Sequence, residues 1–149
     1  MAETQVYELF IRTTPQKLWQ ALTDGASTRK YFFGEMVHSD WKRGSEWWST
    51  RPSGERDVEG KVLESDPPRR LVMTWHVLYD AELSKEVSRV TYAVEKRGQV
   101  CKLTVTHECA EAPLTAKHVS HEGWQLVLSG LKTLLETGEP LPAPVEAAA

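Results

Sequence analysis

The sequence predicts an α+β domain in which helices gather against one face of an antiparallel sheet. Between residues 34 and 108, short runs of alternating character are separated by the turn-forming clusters "WKRG", "RPSGE", "DPPRR" and "KRGQ". Beyond them, Trp124, Val127, Leu128, Leu131, Leu134 and Leu135 fall at i, i+3, i+4, i+7, i+10 and i+11, the stripe of a helix with one buried face. Helices set before and after a block of strands, rather than alternating with them, mark an antiparallel sheet with segregated helices.

The elements follow in order. In "TQVYELFIRT" Val6, Glu8, Phe10 and Arg12 share one face and Tyr7, Leu9 and Ile11 the other, so a half-buried first strand is expected. "TTPQKLWQALTDG" reads as a helix, with Thr14 as N-cap, Pro15 at the first helical position and Gly25 as its stop. "ASTRKYFFG" is expected to form a second short helix ending in Tyr31, Phe32 and Phe33. "GEMVHSD", "SEWWSTR" and "DVEGKVLES" are strand candidates, and Gly60 inside the last marks a bulge or a close backbone approach. In "LVMTWHVLY", Leu71, Met73, Trp75 and Val77 face one way. "VSRVTYAVEK" and "VCKLTVTHEC" pair through a two-residue hairpin around Arg97-Gly98, with Val90, Tyr92 and Val94 on one face and Leu103, Val105 and His107 on another. "AEAPL" is expected to break the sheet, and one long helix to run over 118–138 until Gly138 stops it. Its roughly 20 residues span about 30 Å, enough to cross the sheet but not to fill a strongly curved one, which leaves a pocket at one end. The domain is expected over residues 1–138, with "EPLPAPVEAAA", residues 139–149, as a loose tail.

Composition bounds the function. With 149 residues, 40% hydrophobic and 26% charged, the chain is expected to be one globular domain able to bury a core without staples. A formal net charge of −3 gives no electrostatic case for nucleic acid or for an acidic membrane surface. No apolar run approaches the about 18 residues of a membrane span, and "MAETQVYELF" lacks the pattern of a secretory signal. Cys101 and Cys109 stand about 26 Å apart if they end one strand, against a limit of roughly 7 Å for a disulfide. A cytoplasmic location is therefore expected.

Candidate chemistry is sparse. His118, His121 and Glu122 share a helical face at a spacing metal sites use, yet they sit in a charged helix entry, and no metal or cofactor is expected. His107 lies on a buried strand face, where a hydrogen-bonded core histidine is the plain reading and a polar contact to a ligand the sharper one. Glu46, Asp57, Glu59 and Glu64 sit on strands of undetermined facing; one turned inward would have its pKa raised and could act as an acid. No nucleophile elbow, phosphate-binding glycine loop or paired-cysteine zinc pattern occurs, and neither cysteine has the setting that activates a thiol.

Five segments in this order resemble one known group: "TTPQKLWQALTDGASTRKYFFG", "KRGSEWW", "EGKVLESDPPRRLVMTWHV", "SRVTYAVEKRGQVCKLTVTHE" and "HEGWQLVLSGLKTLLETGEPL". Across residues 5–138 the chain is similar to the family named for the activator of heat-shock protein 90 ATPase, within the START-like or SRPBCC superfamily. That resemblance implies the helix-grip fold, a curved antiparallel sheet wrapped around a long C-terminal helix with a hydrophobic cavity between. The family usually has two consecutive glycines where this chain has Gly44-Ser45.

Within that architecture Tyr31, Trp47, Met73, Trp75, Tyr92, His107, Trp124 and Leu128 are the candidate cavity residues. Gly123 is expected to remove bulk where the helix passes over the sheet, letting Trp124 reach inward. The leading expectation is a non-enzymatic binder of a hydrophobic or aromatic small molecule, linked to stress in many single-domain relatives, as a monomer or homodimer. The bland alternative is that six tryptophans simply fill the core. A chaperone partner, heat-shock protein 90, is the second reading; the eukaryotic activator carries much of its chaperone contact on an added N-terminal domain that this chain is expected to lack. A cavity enzyme of cyclase or hydrolase type is the third, favoured if two ionisable side chains meet across the pocket.

Overall fold

The computed structural model describes residues 4–145. Strand β1 (Thr4–Ile11) leads into helices α1 (Pro15–Thr23) and α2 (Gly25–Thr28). Six strands follow, β2 (Met36–His38), β3 (Glu46–Thr50), β4 (Arg56–Asp66), β5 (Arg70–Val77), β6 (Ser88–Arg97) and β7 (Val100–Glu108), then helices α3 (Pro113–Ser120) and α4 (Gly123–Thr137). The strands form one antiparallel sheet in the order β1-β7-β6-β5-β4-β3-β2. Register shifts between Ser49 and Thr50 and between Val62 and Glu64 interrupt the ladders on either side of β4. Such irregularities bend and twist a strand locally, helping the sheet curve around α4. The fold is the helix grip.

Side-chain alternation places the core as expected. Leu71, Met73, Trp75 and Val77 of β5, Val90, Tyr92 and Val94 of β6, and Leu103, Val105 and His107 of β7 are all buried. Trp124, Val127, Leu128 and Leu131 of α4 pack into the same core, except that His107 joins it as a polar member. Residues 139–145 hold no helix or strand, and the remainder of the expected tail, 146–149, lies outside the described residues.

Several local expectations need correction. Gly25 does not stop α1: Asp24 is its C-cap and Gly25 opens α2. A side chain there would stand 2.8 Å from the Val37 carbonyl oxygen, so the glycine is required by the approach of β2. Helix α2 is a single turn ending at Thr28, and Tyr31 to Phe33 follow it in turns rather than ending a helix. The β6–β7 hairpin turns on Gly98-Gln99, since Arg97 pairs with Val100, and Gly98 takes a φ of 63° that a side chain would resist.

The largest correction concerns the C-terminal helix. Instead of one rod over 118–138 there are two helices, because Pro113 starts α3 early and the apolar stripe begins only at Trp124. Between them Glu122 adopts a left-handed φ of 63°. Gly123 is therefore the first residue of α4, and a side chain there would meet nothing within 4 Å. The glycine that permits close packing is Gly130, where an added Cβ would lie 3.1 Å from Tyr31 Cβ. Helix α4 has 15 residues; at 1.5 Å each it spans only about 22 Å.

Gly60 is the close approach its position predicts. A Cβ there would overlap the Thr74 carbonyl oxygen and stand 2.6 Å from Trp47 Nε1. The missing side chain lets the Trp47 indole N–H pass over Gly60 and donate to Thr74 O at 2.8 Å. This bond fixes the floor on which the site is built.

Candidate functional site

One end of the space between sheet and α4 is filled by interlocking rings. Trp75 lies 5.3 Å from Trp47, 5.9 Å from Trp124 and 6.0 Å from Phe32, centroid to centroid. Tyr92 meets Trp124 edge-on at 6.2 Å. Edge-on and tilted pairs set the positive rim of one ring against the negative face of the next, worth about 0.5–1.5 kcal/mol each beyond burial. Behind them sits His107, fully buried. Trp124 Nε1–H donates to His107 Nδ1 at 3.1 Å. An indole can only donate, so Nδ1 is unprotonated and the ring proton rests on Nε2, which donates to Ser88 Oγ at 2.7 Å. Ser88 Oγ donates in turn to Trp75 O at 3.4 Å. Burial pushes the imidazole pKa down to about 4.

The other end stays open as a cavity of about 530 Å³. Its inner walls are the rings of Tyr31, Phe32, Trp41, Trp47, Trp75, Tyr92 and Trp124, with Leu22, Val37, Val58, Met73, Val119 and Val127 between them. Its rim carries exposed groups: Phe33, which is 62% accessible, Tyr79, His118 and His121. Among the described residues, three non-glycine positions take positive φ, Phe33 at 52°, Trp41 at 57° and Glu122 at 63°. The first two line the cavity, and Glu122 is flanked by the lining residues His121 and Gly123. Strained backbone of this kind costs of order 1–3 kcal/mol per residue and tends to gather where a site is shaped.

One corner of the cavity is polar. Thr28 Oγ1 donates to Glu35 O at 3.0 Å and accepts from Val37 N at 3.2 Å, which pins the loop carrying Glu35 against the start of β2. Alternation on β3 turns Ser49 to the same side as Trp47, and Ser49 Oγ donates to Glu35 Oε1 at 2.9 Å. Asp57, at the start of β4, is within hydrogen-bond reach of Glu35 and is itself only 8% exposed. Arg51 Nε forms an ion pair with Asp57 Oδ1, and its guanidinium lies 5.7 Å above the Tyr79 ring. Tyr79 Oη meets His118 Nε2 at 2.7 Å. Burial first, then the hydrogen bond from Asp57, raises the Glu35 carboxyl pKa to about 7. Burial and the charges of Asp57, Glu35 and Asp80 push the Tyr79 phenol up to about 12.

Six of the eight residues singled out from the sequence, Tyr31, Trp47, Met73, Trp75, Tyr92 and Trp124, are brought together on this wall. His107 and Leu128 are not. His107 stands behind Trp124 with both nitrogens bonded, and Leu128 is buried in the core on the helix stripe. Of the strand carboxylates, Asp57 turns in, while Glu46 and Glu59 pair with Arg56, and Glu64 with Arg70, outside the cavity. Sequence reasoning missed Glu35, Ser49, Arg51 and Tyr79. Ser49 was within reach, because the alternation that buries Trp47 buries it too; the others sit in loops, whose facing no period reveals. His118 and His121 line the rim, and among the described residues no three His, Cys, Asp or Glu side chains are grouped to hold a metal ion. No helix among the described residues is long and apolar enough to cross a membrane.

A curved sheet gripping one helix, with an aromatic cavity open at one end, defines the helix-grip class of proteins. Within it the chain belongs to the family described as activator of Hsp90 ATPase homolog 1-like protein, whose model matches residues 12–136. Solved structures agree on the fold. A protein from Mesorhizobium loti is 22% identical, with 89% of this chain and 96% of that one covered at a TM-score of 0.74. An HSP90 activator from Plasmodium falciparum is 20% identical over 89% of this chain and 95% of that one, TM-score 0.66. The Aha1 dimer from Colwellia psychrerythraea is 19% identical over 91% and 98%, TM-score 0.69. No curated protein sequence matches.

Proposed function

We propose that this protein binds a small, largely aromatic or hydrophobic molecule in the cavity between the sheet and α4. The observation that carries the reading is the cavity itself, about 530 Å³ left open beside a tightly packed ring cluster. Its size falls within the roughly 300–1,000 Å³ of small-molecule sites, and apolar walls with a few convergent polar groups are their usual make-up. Glu35 and Asp57 do meet in the cavity, the feature that favours an enzyme. They sit in one corner, however, with Ser49 on Glu35 and Arg51 on Asp57, and most of the remaining wall is apolar. Binding is therefore the reading the geometry supports best.

The test is a thermal-shift screen over lipids, polyketides and aromatic compounds. A ligand at a hundred times its dissociation constant adds about 2.7 kcal/mol. A screen without any shift, repeated with a crystal structure whose interior is filled, would remove the proposal.

A second reading, a chaperone-associated role, is favoured by the family's description and by the likeness to the Plasmodium falciparum activator. Pull-down of heat-shock protein 90 from the native cell, together with its rate of ATP turnover in the presence of this protein, separates the two.

A further inference from the structure

The polar corner narrows the class of ligand, and this narrowing rests on the small-molecule reading above. The corner holds four carboxylate oxygens, two from Glu35 and two from Asp57. Facing them are the Ser49 hydroxyl, bonded to Glu35 at 2.9 Å, and Arg51 Nε, paired with Asp57. When the two carboxyls are hydrogen-bonded to each other, the one proton they hold is spent between them and none points at the cavity. When that proton leaves, two negative charges meet one positive charge. The corner is thus rich in acceptors and negative in balance. A guest that brings a carboxylate has to compete with Asp57 for the Arg51 guanidinium and meets the negative balance of the pair; a guest that brings N–H groups and a positive charge meets four carboxylate oxygens.

The walls select in the same direction. Trp41, Trp47 and Trp75 line the space and present broad apolar ring surface to the body of a guest whose charge sits at the carboxyls. We propose that the cavity's occupant is an arylalkyl amine, its ammonium group docking at Glu35 and Asp57 and its apolar body lying against these tryptophans. Docking replaces the shared proton by ammonium N–H bonds and releases that proton to solvent.

The linkage has a definite sign. The free Glu35 carboxyl titrates at about 7, and a bound cation favours its ionised form. Amine affinity therefore rises as pH climbs through about 7 and weakens in acid. The groups that face Glu35 are Asp57 from β4, Arg51 from the loop after β3, and Tyr79 from the loop after β5. His118 and His121, from α3 and the turn after it, stand farther out on the rim. The pH effect is therefore compared with that of a variant lacking the Glu35 carboxyl.

The experiment is calorimetry with 2-naphthylmethylamine, 2-naphthylmethanol and 2-naphthoic acid at pH 8 and pH 6, on the native chain and on Glu35→Gln. Expected is an amine affinity at least about tenfold above the alcohol at pH 8, an advantage that shrinks about tenfold at pH 6, and release of close to one proton per amine bound at pH 6. In Glu35→Gln the proton release vanishes and the amine's advantage over the alcohol falls at least about tenfold. If Glu35→Gln fails to fold, Asp57→Asn serves, with the amine advantage reduced. Binding of alcohol or acid as tight as that of the amine, or an amine preference indifferent to both variants, overturns the proposal and leaves the small-molecule reading standing. If none of the three probes binds while the broader screen also fails, both fall together.

Discussion

Two polar groups sit inside the same apolar shell, and the protein treats them in opposite ways. His107 is fully buried with Nδ1 accepting from Trp124 and Nε2 donating to Ser88. Glu35 is half-buried at the edge of the cavity with a like-charged neighbour. Burial lowers the first group's pKa to about 4 and raises the second's to about 7. In both cases the shell favours the neutral form, but only His107 is enclosed, whereas Glu35 borders the open space. The histidine end is finished structure. The carboxylate end is held short of completion, and it is there that the interior opens.

The sharpest way to break this contrast is His107→Ala, which leaves the Trp124 N–H without its acceptor and opens a hole beneath the rings. Denaturant unfolding at pH 7.5 is expected to show a loss of about 3–4 kcal/mol. A loss below about 1 kcal/mol would mean that the two ends do not differ in kind. Next comes acid. A histidine with its folded pKa near 4 and an unfolded value near 6.5 takes up its proton only on unfolding, so its contribution is complete above about 6.5 and drains away as pH falls toward 4. The expected decline is about 3 kcal/mol, seen in denaturation midpoints measured from pH 7 to pH 4 and absent from His107→Ala. The smallest effect has the opposite sign. Glu35, with a folded pKa of about 7 against 4.5, stabilises least above 7, where its charge is present beside Asp57. Glu35→Gln is expected to raise stability at pH 8 by up to about 1 kcal/mol, a figure discounted for its partial exposure, and to change little at pH 4.5. A destabilised variant at pH 8 would show that the carboxylate is structural after all.

Periodicity reveals the wall of the cavity and hides its corner. Met73, Trp75 and Tyr92 follow from strand alternation and Trp124 from the helical stripe, because a side chain's face is fixed once its period is known. Glu35, Arg51 and Tyr79 lie in connections, where direction depends on bonds such as Thr28 to Glu35 that join residues from different elements. His107 was legible as buried, yet its two partners come from β6 and α4, so whether it faced a guest or the core was a tertiary question. The kink at Glu122 escaped for another reason. "SHEG" has the composition of a helix entry, and only the separate helix begun by Pro113 makes it a joint between two helices. Gly130 was passed over because a glycine inside a periodic stripe announces no neighbour, whereas Tyr31 arrives there from a hundred residues away.

The strand order has a consequence for how the chain comes into being. Strand β1 leaves the ribosome before the other six strands, but its ladder runs from Thr4 against Glu108 to Ile11 against Cys101. At translation rates of about 5–20 residues per second it must wait roughly 5–20 s for its mate. During that interval Tyr7, Leu9 and Ile11, which later pack against the core, have no sheet to shelter them. The edge that closes the grip is made at the start and used at the end.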